Sequence, residues 1–259
     1  MKKQILLFTL FFTITSFKVF TKEKAVKHVF EIFNDTNSNK LYIGSENIEY
    51  INKKDLESFM KIKIKGKNKI RNGESIELKR KNLIVSIYSK NLIKRNTETT
   101  QYWKVPNENS ITYDKGKDYF HIKKNEIINQ TINFSPFDYS KKYLVFVGNS
   151  KAEKFIKQSI TGQPYLWGQQ IGKFEKDDWV FMQSPHNIRT SDNENYWEKI
   201  YIVNELLNNI SSVYVKMSLG RRKNESKENA EGTLTDLNLR IFNSKEDALF
   251  YIKNIFNKK

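Results

Sequence analysis

Every second position is apolar across several short stretches of this chain, and that period restricts what those stretches can become. Val213, Val215, Met217 and Leu219 alternate with Tyr214, Lys216 and Ser218, and Leu237, Leu239 and Ile241 repeat the pattern. Side chains on a strand point to opposite faces in turn, so each run buries one face and presents the other. A polar loop over 221–231 separates the two runs, and we expect them to pair as a hairpin.

Similar short runs occur at His28 to Phe33, Leu41 to Ile43, Leu83 to Tyr88, Gln101 to Val105, Tyr119 to Ile122, Ile127 to Phe134 and Tyr143 to Val147. Strands at this spacing, punctuated by polar turns, predict a sandwich. The clearest alternation is Met60-Lys61-Ile62-Lys63-Ile64-Lys65, read as a half-buried strand that runs on to Arg71. A three-residue loop, Arg71-Asn72-Gly73, would bring Ile76 and Leu78 onto the Ile62/Ile64 face and give Gly73 a left-handed bulge position. Phe134-Ser135-Pro136 followed by the alternating Tyr143, Val145 and Val147 resembles the corner before the sixth strand of immunoglobulin-like or fibronectin type III folds. That resemblance implies an immunoglobulin-like β-sandwich over 22–148.

The rest of the chain reads as a smaller mixed α/β portion over 149–259, for an α+β, β-rich fold overall, with either a domain boundary near Gly148 or one core shared by both halves. Ser150 and Glu153 form a capping box ahead of Ala152, Phe155, Ile156 and Ile160, which predicts a short helix. Trp179 to Gln183 reads as a strand, and Trp197, Ile200, Val203, Leu207 and Ile210 recur at helical steps. Ser244 caps a last helix whose apolar face carries Ala248, Leu249, Ile252, Ile255 and Phe256.

Met1, Lys2 and Lys3 precede an uncharged run from Ile5 to Phe17, the form of a secretory signal peptide, taken here as 1–21. The expected localisation is export, whether periplasmic, cell-surface or secreted. Membrane contact is expected only through this segment if it stays attached. The chain has no cysteine, so neither disulfides nor thiolate metal sites contribute. Its formal charge is +16, and subtracting Lys2, Lys3 and Lys18 leaves +13. Lysine outnumbers arginine 38 to 7, a codon bias typical of AT-rich genomes and poor in the bidentate guanidinium that nucleic-acid recognition favours. Nucleic acid is therefore not an expected partner.

Three groups of residues are candidate sites. Lys61, Lys63, Lys65, Lys67, Lys69 and Arg71 would project from one strand face toward an anionic polymer or lipid, or simply form a solvated edge. Tyr165, Trp167, Phe174, Trp179, Phe181, Tyr196 and Trp197 concentrate aromatic rings, and rings held outward, Trp167 and Trp179 foremost, would stack on a sugar or insert into a partner. His186, Arg189 and Asp192 form the best catalytic candidate: a general base, an anion clamp and an imidazole-orienting carboxylate in a secreted hydrolase. His28, His121 and His186 lack metal-ligand spacing, and no cofactor motif, phosphate-cradling glycine loop or nucleophile elbow occurs. The leading expectation is an exported, non-catalytic binding protein with a protein or glycan partner. The alternatives are the hydrolase and a structural envelope protein attached to anionic lipid or polysaccharide.

Overall fold

Two β-sheets packed face to face form the body of the molecule in a computed structural model that describes residues 29–95, 101–107, 111–114, 117–124, 126–135, 137–173, 179–185, 196–226 and 228–256. The strands are β1 (Val29–Asp35), β2 (Lys40–Ser45), β3 (Tyr50–Asn52), β4 (Lys69–Arg71), β5 (Ser75–Leu78), β6 (Lys81–Ser89), β7 (Ile111–Asp114) and β8 (Lys117–Lys123). They continue with β9 (Ile128–Asn133), β10 (Tyr143–Lys154), β11 (Pro164–Gly172), β12 (Trp179–Gln183), β13 (Glu198–Glu205), β14 (Ile210–Leu219) and β15 (Glu231–Phe242). The larger sheet runs β1-β2-β6-β15-β10-β13, with β5 on β6 and the β7–β8 pair on β15. The smaller sheet runs β12-β11-β14-β9. Phe120, Leu144, Phe146, Leu234 and Leu239 from the larger sheet meet Ile128, Leu166, Val213, Val215 and Met217 from the smaller one in a single apolar core.

Strand β15 holds the larger sheet together. One side pairs antiparallel with β10 from Tyr143↔Phe242 to Lys154↔Glu231. The other side is shared, with β8 pairing over Glu231 to Thr235 and β6 meeting it at Phe242↔Tyr88. Strand β2 runs parallel to β6. This arrangement differs from the four-plus-three antiparallel sheets of an immunoglobulin domain. The corner at 134–143 does carry the chain from the smaller sheet to the larger, but the tyrosine that ties it is Tyr139, whose Oη donates to the Ser135 carbonyl at 3.2 Å.

The lysine-rich segment is not a strand. Helix α1 (Lys53–Met60) starts at Asn52 and ends where Lys61 turns left-handed (φ 54°), its N–H donating to the Glu57 carbonyl. Residues 61–68 then form no strand, with Gly66 also at positive φ (115°), and the Ile64 N–H donates to the Glu57 carboxylate at 2.7 Å. Ile64 and Ile70 are buried with Leu56, Ile76 and Leu83 in a small second core, so burial alternates over 60–65 without a strand there, while Ile70 stands in the short β3–β4 pair. Lys61, Lys63, Lys65, Lys67, Lys69 and Arg71 are all exposed, yet only Lys69 and Arg71 stand on a strand. The premise of six charges on one sheet face therefore fails.

The expected hairpin across Gly73 fails too, because β4 pairs with β3 and β5 with β6. The turn itself survives. Glu74 N–H donates to the Arg71 carbonyl at 3.1 Å, and Gly73 sits at φ +82° with open space where a Cβ would go. Gly73→Ala should therefore cost about 1 kcal/mol from backbone conformation alone. Urea denaturation would check this, and an unchanged midpoint would show that the turn tolerates a side chain.

The mixed α/β reading of the second half is corrected to β. Ser150 and Ala152, read as the start of a helix, continue the inward face of β10, and Gly148 lies in the middle of that strand. Ile200 and Ile202, read within a second helix, face the core from β13. Strands β14 and β15, expected to pair, lie in different sheets. The last helix is present as α2 (Lys245–Phe250), extended by a π-helical turn over Tyr251–Ile255, with the Ser244 hydroxyl accepting from Asp247 N–H at 3.1 Å. Its Ala248, Tyr251, Ile252 and Ile255 cover Tyr88, Val145, Val147 and Phe242 on the outer face of the larger sheet.

Candidate functional site

Burial alternates along each strand of the smaller sheet, and the outward set is unusual in composition. Inward, Leu166, Gln170, Met182, Val213, Val215, Met217, Ile128 and Ile132 are buried. The two buried glutamines on these strands, Gln170 and Gln130, are satisfied. Gln170 donates to the Glu205 carbonyl and accepts from Leu207 N–H, while Gln130 bridges Lys94 N–H and carbonyl. Outward, β12 presents Trp179, Phe181 and Gln183, β11 presents Tyr165, Trp167, Gln169 and Ile171, and β14 presents Ser212, Tyr214 and Lys216.

Register places these side chains in rows across the strands. Trp179 stands beside Ile171 and Ser212; Phe181 beside Gln169, Tyr214 and Thr131; Gln183 beside Trp167, Lys216 and Asn129. Trp179 is 50% and Phe181 47% exposed, values far above those expected for rings that serve only to fill a core. Trp167 lies 6.1 Å from Phe181, centroid to centroid, at 47°. The Lys216 ammonium sits 3.8 Å from the Trp167 centroid and 4.4 Å from that of Tyr214. Burial lowers the Lys216 pKa and raises that of Tyr214. Close strand approach under this face depends on Gly168, where an added Cβ would lie 2.3 Å from the Tyr214 carbonyl oxygen.

Trp167 and Trp179, both singled out in the sequence, thus share this face with Phe181, whereas Tyr196 and Trp197 lie just ahead of β13 of the larger sheet. There Trp197 packs against Tyr119 at 6.4 Å and under Lys151 at 5.8 Å. Phe174, His28, His186, Arg189 and Asp192 lie outside the described residues, as does segment 1–21. Tyr214 and Lys216 went unnoticed in the sequence as site residues. Their signal was the polar half of the alternation whose apolar half, Val213 to Leu219, had marked the strand.

The larger sheet gathers a second polar group. His121 of β8 lies with Nδ1 3.2 Å from Glu153 Oε2 and Nε2 3.5 Å from Glu231 Oε2. One ligating atom from each residue falls within 4.8 Å of the others, which is compatible in spacing with a metal ion. The orientation argues against one. A metal takes a single imidazole nitrogen, and here the two carboxylates approach opposite nitrogens. Their remaining oxygens are held by cations, Lys151 on Glu153 at 2.9 Å and Lys154 on Glu231 at 2.8 Å. The hydrogen bond from Lys154, with the nearby charge of His121 and Lys123, holds the Glu231 carboxyl below its usual range. The group is an ion network joining β8, β10 and β15.

These features define a β-sandwich with an exposed aromatic and amide face on its smaller sheet. Neither a protein-family model nor a curated protein matches the sequence. Among solved structures, a family 29 carbohydrate-binding module aligns with TM-score 0.33 at 10% identity, over 62% of this chain and 92% of that one. A galactotriose complex of TmCBM61 aligns at 0.34 and 15%, over 58% and 98%. The CBM22-2 xylan-binding domain of Paenibacillus barcinonensis Xyn10C aligns at 0.29 and 8%, over 54% and 91%. Likeness at this level carries no argument about what the present chain binds.

Proposed function

We propose that this chain is an exported, non-catalytic binding protein that takes a glycan on the outer face of β12-β11-β14-β9. The observation that carries the reading is the row structure of that face, in which Trp179, Phe181, Trp167 and Tyr214 are interleaved with Gln169, Gln183, Asn129 and Thr131. A sugar ring offers apolar C–H faces and equatorial hydroxyls, and stacking rings set among amide donors and acceptors match both at once. A protein partner of comparable area calls instead for a contiguous apolar centre with a polar rim. The sequence of 1–21 supports an address outside the cytoplasm.

The test is retention on a panel of immobilised polysaccharides by affinity electrophoresis, with Trp179→Ala and Phe181→Ala as variants. Both rings project from the edge strand β12 with about half their surface exposed, so folding should survive. Each substitution should weaken retention about tenfold or more, which is about 1.4 kcal/mol. Retention of no polysaccharide, or undiminished retention by the double variant, would defeat the reading.

A further inference from the structure

Six lysines among the described residues are half-buried: Lys40, Lys53, Lys142, Lys151, Lys199 and Lys216. Five of them give a proton to a protein oxygen. Lys40 binds Asp247 at 2.8 Å, Lys151 binds Glu153 at 2.9 Å, Lys142 donates to Asn243 Oδ1 at 3.1 Å, Lys199 to the Ile252 carbonyl at 2.6 Å and Lys53 to the Gly66 carbonyl at 3.4 Å. Among the described residues, the Lys216 ammonium sits over the Trp167 and Tyr214 rings and pairs with no carboxylate. An ammonium stripped of part of its water and supported from below by two π-faces keeps its outward N–H groups for an incoming acceptor.

The rest of the face agrees in sign. None of the outward residues described on β9, β11, β12 and β14 is acidic, and the row holding Lys216 continues through Asn129 to the exposed Lys104, which bridges to Asn129 from beyond β9. Lys216 and Lys104 therefore spring from backbones two strand spacings apart, roughly 10 Å. A neutral sugar would leave Lys216 covered and without an anion, whereas an acidic one would pair with it.

We propose that this face selects acidic glycans, chains bearing carboxylate or sulfate groups, and that Lys216 reads the charge. This rests on the glycan reading above and adds the class of sugar. The experiment compares polygalacturonate, its methyl ester, neutral galactan and dextran sulfate as probes, with wild type, Lys216→Gln and, as a charge-matched control, Lys65→Gln on the exposed loop far from this sheet. The expected result is a preference of tenfold or more for an acidic chain over the neutral ones, removed by Lys216→Gln, kept by Lys65→Gln and weakened by salt. Polygalacturonate and dextran sulfate separate the carboxylate from the sulfate source. Equal retention of acidic and neutral chains, or equal losses in the two lysine variants, would overturn the charge selection while leaving the stacking platform intact. Retention of none of the four probes by wild type would overturn both readings.

Discussion

Arg240→Ala will destabilise the protein by about 3–5 kcal/mol, because it removes one member of a buried ion pair and leaves the other. Arg240 is 4% exposed on β15, with Nη2 3.4 Å from Glu31 Oε2 of β1 and Nη1 donating to the Ser89 carbonyl at 3.1 Å. Phe30, Tyr88 and Tyr251 surround the guanidinium, their centroids 5.3 to 5.6 Å away. Burial drives the hydroxyl pKa of Tyr88 well up and that of Tyr251 to about 12, so both rings stay neutral beside the cation. The substitution removes the guanidinium that faces the Glu31 carboxylate. The double variant Arg240→Met with Glu31→Met should recover most of the loss, since an apolar pair of similar volume carries no desolvation cost. Urea denaturation reads both effects, and a loss below about 1 kcal/mol in the single variant would mean that water reaches the site.

Gly168→Ala should be the most damaging single-methyl change on the smaller sheet. The new Cβ would lie 2.3 Å from the Tyr214 carbonyl oxygen and 3.3 Å from Val215 Cα, and backbone atoms cannot rotate away as a side chain can. Strands β11 and β14 would have to separate where they carry Trp167 and Gln169 opposite Lys216 and Tyr214. Overpacking of this kind costs about 1–3 kcal/mol, and the rigid neighbour puts Gly168 at the upper end. Glycan retention should fall with stability, whereas Gly73→Ala, remote from the platform, should lower stability alone. Paired denaturation and affinity-electrophoresis measurements on the two variants distinguish them, and intact retention by a destabilised Gly168→Ala would show that the platform does not depend on this strand spacing.

The strands legible in the sequence were those whose alternation coincided with a packed sheet: β14 and β15 most clearly, then β6, β8 and the first half of β10. The last helix was legible through its cap at Ser244. Ser150 to Ile160 misled because a capping box and a helical stripe are local signals, while β13 pairs with β10 as far as Ser150 and β15 carries it on to Lys154. The same holds for β13, where Ile200, Ile202 and Val203 satisfy both periods and their β-branched character was the better guide. At 60–65 the alternation was real in burial, but Ile64 and Ile70 pack beneath α1 rather than within a wide sheet. Of the candidate platform, Trp167 and Trp179 could be named because tryptophans stand out. Lys216 could not, since one lysine among 38 has no visible distinction until its neighbours are known.

Strand β15 has a consequence for how the chain reaches this state. Strands β6, β8 and β10 all depend on residues 231–242 for a neighbour, so synthesis passes through a long interval in which three hydrophobic edges await one late segment. Contacts such as Tyr88 with Phe242 span more than half the sequence, and pairings of that range close slowly. Folding on this topology should be a late event with exposed edges beforehand, during which a holding chaperone would have both the time and the surface to bind.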